Sequence, residues 1–278
     1  MKSKKQYVDL TIVYVLLIMI SFIYILPFIW TVSTSFKADS ELLDYPPSFF
    51  PKSPSPDNYV KAVNRFPFFK YFVNSMIITL GNVIGVLISA PLVAYGFSKI
   101  KWKAQNVFFI LMLSTTMIPG AVTMVPTFLI FKHLNWLDSY LPLIVPAILG
   151  GGTMNVFLIR QFFLSIPNDI IEAAKIDGAN DFTIYMKIML PLSKPVLSIV
   201  SLFTFIGSWN NYMGPLIYIT SEEKFPLALG MPMFMSRYGT YWNQAMAAAT
   251  LTLLPTIIFF IFVQKYLIEG IKLSGMKI

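Results

Sequence analysis

The sequence predicts an all-α integral membrane protein with six transmembrane helices, and three observations carry that prediction. Charged residues make up 12% of the 278 positions, against about 25% in an ordinary soluble domain, so the chain lacks the polar exterior that water requires. Hydrophobic residues reach 56%, and the mean hydropathy is +0.68. Six apolar runs each approach or exceed the roughly 20 residues needed to cross a bilayer as a helix. They fall at about 9–34, 71–98, 105–131, 139–163, 195–219 and 244–268, within one membrane domain covering 1–278.

The first run follows "MKSKK". A basic start before an apolar stretch also describes a secretory signal, but this run is long and "TSFKAD" fits a cleavage site poorly, so a retained helix is expected. Residues 35–70, with "YPPSFFPKSPSPDN", read as an irregular external loop in which prolines set extended and turn conformations. The third and fourth runs carry breaks, "MIPGAV" and "LGGGTM". Such breaks persist in a membrane where neighbours or a wet cavity satisfy the freed backbone. Arg160, near the end of the fourth run, is expected to snorkel to the interface.

Lysine and arginine set the orientation. With the N-terminus inside, the internal segments hold Lys2, Lys4, Lys5, Lys99, Lys101, Lys103, Arg160, Lys175, Lys187, Lys194, Lys265, Lys272 and Lys277, which is 13 of the 21. The longer external segments hold the other eight. The net charge of +8 is therefore a topology signal and not a nucleic-acid footprint. Both termini are placed on the cytoplasmic side. Cysteine is absent and His133 is the single histidine, which removes disulfides, thiolate chemistry and most histidine chemistry. No paired intramembrane acids, metal-ligand cluster or triad appears.

The longest internal connection, about 164–194, contains "EAAKIDGAND". Pro167, Asp169 and Glu172 suit the start of a helix, and Gly178 stands where that helix needs a left-handed stop. Asn180 or Asp181 caps a second helix. In it Phe182, Tyr185, Met186, Met189 and Leu190 recur at helical spacing as one apolar face. The segment reads as two short helices around a glycine turn. That is equally the shape of a coupling element for a soluble partner and of an amphipathic hairpin resting on headgroups.

The longer stretch "EAAKIDGANDFTIYMKIMLPLSKP" resembles the cytoplasmic signature of membrane subunits of binding-protein-dependent ABC importers. Glu172, Ala173, Ala174, Gly178, Ile188, Leu190 and Pro191 match its order and spacing, and Asp177 and Ala179 fit beside the glycine. "TVSTSFKADSELLDYPPSFFP", "DNYVKAV", "MIPGAVTMVPTF" and "WNNYMGPLIYI" are similar to the carbohydrate-uptake branch, in its six-span, maltose-type partner. The resemblance implies a bacterial cytoplasmic-membrane permease working with a second permease, two cytoplasmic ATPases and an extracytoplasmic binding protein. Glu172 then anchors a docking surface, Ala173 and Ala174 permit close approach, and Gly178 orients both helices. ATP and Mg belong to the ATPases, because this chain has no G-x-x-x-x-G-K-[ST] phosphate loop. No cofactor is expected in the chain itself, and it is not expected to be an enzyme.

For a translocation path the richest polar cluster inside a run is Ser208, Trp209, Asn210, Asn211 and Tyr212. Asparagine offers donors and acceptors and an aromatic face stacks on a sugar ring, but inter-helix hydrogen bonding uses the same residues. In the external loops, His133 and Trp136 read as interfacial anchors. Arg237, Tyr238, Tyr241 and Trp242 suit either a binding-protein contact or an aromatic belt. The competing readings are an importer subunit for a non-sugar solute and a secondary transporter.

Overall fold

The computed structural model describes residues 4–236 and 239–275. Lys2, Arg237, Tyr238 and Lys277 lie outside the described residues. The chain is mostly helical. In order it forms α1 (Lys4–Ser35), α2 (Asp57–Asn64), α3 (Phe68–Ser98), α4 (Gln105–Ser114), α5 (Gly120–His133), α6 (Leu141–Gly150) and α7 (Thr153–Ser165). There follow α8 (Asn168–Ile176), α9 (Asp181–Ile184), a π turn at Tyr185–Met189, α10 (Leu190–Leu192), α11 (Lys194–Trp209), α12 (Met213–Tyr218), α13 (Leu227–Gly230) and α14 (Trp242–Gly275). Two short strands, β1 (Met235–Ser236) and β2 (Gly239–Thr240), pair antiparallel with Met235 opposite Thr240.

By length and composition four helical stretches cross a bilayer unaided, and the count reaches six if each of two bent pairs is one span. One bent pair is the third run, where the axis turns by 102° between Met117 and Gly120. The residue before a proline is pushed out of the helical region, and Ile118, before Pro119, has ψ 118°. Either half alone is short: α5, with 14 residues, spans roughly 21 Å at 1.5 Å per residue. The other bend, 75°, separates Asp181–Leu192 from α11. The fifth run is also not continuous, because α11 stops at Trp209 and α12 begins at Met213.

One compact unit comprises residues 1–68 and 231–254. Here α1 exposes apolar side chains around its whole circumference, from Ile12 to Phe28. A helix apolar all round and not covered by its own chain needs a non-aqueous surrounding. The 35–70 connection is more ordered than an irregular loop. Asn58 Nδ2 donates to the carbonyls of Ser35 and Lys37, both at 2.9 Å, and Asn243 Nδ2 donates to Lys37 O and to Asp39 Oδ1 at 2.7 Å. The Glu41 carboxylate accepts from the backbone N–H groups of Lys52 and Ser53. Side chains thus supply the partners that buried loop backbone demands, a feature proline content does not disclose. Tyr241 lies under the Arg65 guanidinium at 4.0 Å.

The second unit comprises residues 69–230 and 255–278. Its core joins α3, α7, α8, α9, the π turn and α11 through Ala94, Tyr95, Ile159, Phe163, Ile171, Ile184, Met189 and Val200. Arg160, for which snorkelling is expected, reaches the end of α3: its Nε donates to Phe97 O at 2.9 Å and its guanidinium lies 3.9 Å over the Phe109 ring. A protein carbonyl and an aromatic face lie within reach, so the charge is satisfied where it stands. Trp136 stacks on Phe131 at 5.7 Å, while His133 is exposed.

The short connection before α6 is pinned by Asp138. Its carboxylate accepts from Lys224 Nζ at 2.8 Å, from Ser221 Oγ and from the N–H groups of Thr220 and Ser221, while its own N–H donates to Tyr218 O. Lys224 first, then these hydrogen bonds, hold the Asp138 carboxyl well below the usual carboxylate range. A depressed folded-state value stabilises fully above the unfolded value of about 4 and is lost as pH falls below it. Asp138→Asn is therefore expected to lower the melting temperature of the detergent-solubilised protein at pH 7. The gap from wild type should narrow between pH 5 and pH 3. A constant gap across that range would rule out titration of Asp138 as its cause.

Candidate functional site

The 164–194 segment folds as two helices stapled by a turn. Residues "NDIIEAAKI" form α8 with Asp169 in its first turn and Lys175 in its last, both favourable to the helix dipole. The stop is a Schellman motif: Gly178 N–H donates to Lys175 O at 3.0 Å and Ala179 N–H to Ala174 O at 2.9 Å. Gly178 takes φ +84°, a conformation cheap only for residues without a crowding Cβ. The next helix starts one residue later, with Asn180 Oδ1 accepting from Thr183 N–H at 2.8 Å. Lys175 and Asp181 pair across the turn at 3.2 Å, both more than half exposed, which contributes at most about 1 kcal/mol.

The second helix buries a different face from the one its spacing predicts. Leu190 N–H donates to Tyr185 O, five residues back, so the turn between them is wide. Ile184 and Met189, five apart, share the buried side with Tyr185, while Phe182 is 68% exposed and Met186 47% exposed. One extra residue in a turn rotates the rest of the helix by about 100°, which a strict 3.6-residue count misses. Ile176, on the other side of the glycine, is 86% exposed.

Of the residues singled out by sequence, Glu172, Ala173, Asp177 and Gly178 are exposed, Ala174, Ile188 and Leu190 are half-buried, and Pro191 is exposed. Lys99, which contributes only charge to the topology count, has a structural place here. Its ammonium donates to Ile166 O and Asn168 Oδ1, both at 2.9 Å, at the start of α8. Burial pulls its pKa below the ordinary lysine value.

Further along the same unit, α3, α6, α7 and α11 enclose an open cavity of about 460 Å³, within the usual range of small-molecule sites. Three glycines, Gly151, Gly152 and Gly207, open the space, and Asn82, Asn155, Ser208 and Asn211 supply its polar groups. Gly151 has φ +66° and packs against α3 so closely that an added Cβ would lie 2.6 Å from the backbone of Ala90. The break in "LGGGTM" is thus a close approach of two helices beside the cavity.

Only two members of the "SWNNY" cluster line this cavity, Ser208 and Asn211. Trp209 is buried, stacked parallel to Phe205 at 5.8 Å. Asn210 is exposed and its amide donates back to Ile206 O; Tyr212 is exposed and lies outside the lining. Asn82 and Asn155 were not singled out from the sequence. Each is a carboxamide in an apolar run, a signal that Asn74 and Gln161 in the same runs share without joining the lining. Among the described residues no three His, Cys, Asp or Glu side chains gather as a metal site.

Comparison with known proteins agrees with this architecture over nearly the whole chain. Residues 10–273 match the model of the binding-protein-dependent transport system inner membrane component family. The chain is 34% identical over 262 residues to the arabinooligosaccharides transport system permease protein AraQ of Bacillus subtilis, covering 93% of this chain and 92% of that one. It is 36% identical over 211 residues to the sn-glycerol-3-phosphate transport system permease protein UgpE of Yersinia pestis, covering 75% and 74%. A chain in the crystal structure of a bacterial ABC transporter involved in import of the acidic polysaccharide alginate superposes with a TM-score of 0.78. That match has 26% identity and covers 96% of this chain and 99% of the other.

Proposed function

The chain belongs to the family of binding-protein-dependent transport system inner membrane components, and on that premise we propose that it forms half of the translocation path for a sugar or oligosaccharide. It is a membrane transport subunit rather than an enzyme. An ABC importer permease works with a partner permease, an ATPase and a binding protein. In this reading the solute arrives from an extracytoplasmic binding protein, and two cytoplasmic ATPases holding ATP and Mg supply the energy. The segment Glu172–Pro191 faces the cytoplasm, as do both termini, and it is the part the ATPases move.

One observation carries the reading. The stapled helix pair exposes Ile176 and Phe182 outward, while its inner face, Ile171, Ile184, Tyr185 and Met189, packs in the same core as α3, α7 and α11. Exposed apolar tips suit a protein cleft, and a close-packed core transmits displacement because it deforms little. A push on the tips therefore reaches the helices that line the cavity.

The test is purification of the complex in mild detergent from native membranes. A second multi-span permease and an ATPase subunit should co-purify with the wild-type chain. Phe182→Asp changes an exposed side chain, so membrane levels should hold while ATPase retention falls roughly tenfold, the scale of an interface anchor. Recovery of the chain alone, with a control importer intact, would remove the reading.

A further inference from the structure

We infer that the cavity between α3, α6, α7 and α11 is a solute site selective for neutral, hydroxyl-rich molecules and unfavourable to anions, with Asn82, Asn155 and Asn211 as its specificity-determining residues. This inference rests on the proposed role as a permease subunit and extends it to the charge of the solute. Family membership alone does not decide that point, since the similar proteins are named for an arabinooligosaccharide, a glycerol phosphate and an acidic polysaccharide.

The cavity wall carries no formal charge: no Lys, Arg, Asp or Glu is among the described lining residues. Transfer of an anion out of water is costly unless a counter-charge or several directed donors replace its hydration, and this wall offers no counter-charge. A neutral polyol asks only for hydrogen-bond partners.

The orientation of the three carboxamides then sets the pattern. Asn82 Nδ2 donates to Ile78 O at 2.9 Å and to Ser208 Oγ at 3.2 Å, and Asn155 Nδ2 donates to Gly151 O at 2.8 Å. A backbone carbonyl accepts only, so each of these amides must present nitrogen to it, which fixes the flip. Among the described residues, Asn82 Oδ1 and Asn155 Oδ1 are left as acceptors without a protein hydrogen bond. Asn211 is fixed the opposite way: its Oδ1 accepts from Gly214 N–H at 3.1 Å, leaving Nδ2 as a donor without a partner among the described residues. Ser208 Oγ accepts from Asn82 and retains its own proton.

The wall therefore mixes free carbonyl oxygens with a free amide donor and the Ser208 hydroxyl proton. A sugar hydroxyl both donates and accepts and can serve both kinds of group. A carboxylate or phosphate oxygen only accepts, so beside Asn82 Oδ1 and Asn155 Oδ1 it meets lone pairs. The glycines that widen the cavity leave room for a ring.

Asn211→Asp gives the cleanest perturbation, because a carboxylate still accepts from Gly214 N–H while the free donor becomes a second anionic acceptor. The experiment is equilibrium dialysis on the purified membrane complex, this chain with its partner permease and ATPases, without the binding protein. The labelled probes are arabinotriose, a mannuronate trisaccharide and sn-glycerol 3-phosphate. Wild-type complex should retain the neutral trisaccharide in preference to both anions, and Asn211→Asp should weaken that retention roughly tenfold, the scale of one lost polar contact. Equal or tighter retention of an anion, retention of none of the probes, or indifference of neutral binding to Asn211→Asp would overturn the inference. Loss of the permease reading shows itself separately, as absence of ATPase subunits from the purified wild-type complex.

Discussion

Gly178→Val is expected to cut ATP-driven uptake roughly tenfold or more while the chain still inserts and reaches wild-type levels in the membrane. At φ +84° nothing lies within 4 Å of a Cβ built on Gly178, so the penalty is one of backbone conformation alone. The left-handed region costs an ordinary L-residue about 1–2 kcal/mol and is a clear outlier for a β-branched one. A cost of about 1.4 kcal/mol already shifts an equilibrium tenfold. The stapled turn would open, and α8 would lose its fixed angle to α9. A graded series separates this cause from crowding: Gly178→Asn should retain most uptake, because asparagine tolerates this region, Gly178→Ala should fall between, and Gly178→Val should be worst. Normal uptake by the valine variant would count against a coupling role for the segment.

Gly151→Ala should fail by a different route and at the level of folding. Here positive φ combines with a contact of 2.6 Å between the new Cβ and Cα, Cβ and N of Ala90. The conformational cost of about 1–2 kcal/mol adds to overpacking of about 1–3 kcal/mol. A melting temperature lower by roughly 4–20 °C is expected if about 1 kcal/mol moves a chain of this size by 2–4 °C. Asparagine should not rescue this position as it does Gly178. Nor should Ala90→Gly in the same chain, because two of the three crowded atoms are backbone. Substantial recovery in that double variant would show that the clash is with the side chain and that the helices can part. The two glycines thus share a backbone conformation but differ in surroundings, and the substitution series tells them apart.

Much of the fold was legible because lipid imposes a simple demand. Long apolar runs, proline and glycine breaks, and the scarcity of charge follow from having no water to satisfy the backbone, and each is visible residue by residue. The turn at Gly178 was legible for the same kind of reason: helix, stop and cap are local events written within a few residues. The apolar face of the following helix was not, since the wide turn at Tyr185–Met189 forms to place Tyr185 and Met189 in a core supplied by α3, α7 and α11. Its signal is not in the segment itself.

The cavity shows the limit most plainly. "SWNNY" stood out as a polar cluster, yet the structure divides it among a cavity wall, a buried aromatic stack and an exposed amide. Asn82 and Asn155 join the wall from helices far away in sequence. Thus the sequence alone determined that the chain is a six-run membrane protein whose longest internal loop holds two short helices around a glycine turn, because hydropathy and turn chemistry are properties of the local chain. Tertiary structure alone decided which side chains meet, which atoms of each asparagine stay free and that Arg160 is held by Phe97 and Phe109, because a partner is a property of neighbouring helices and periodicity names a face without naming what it faces.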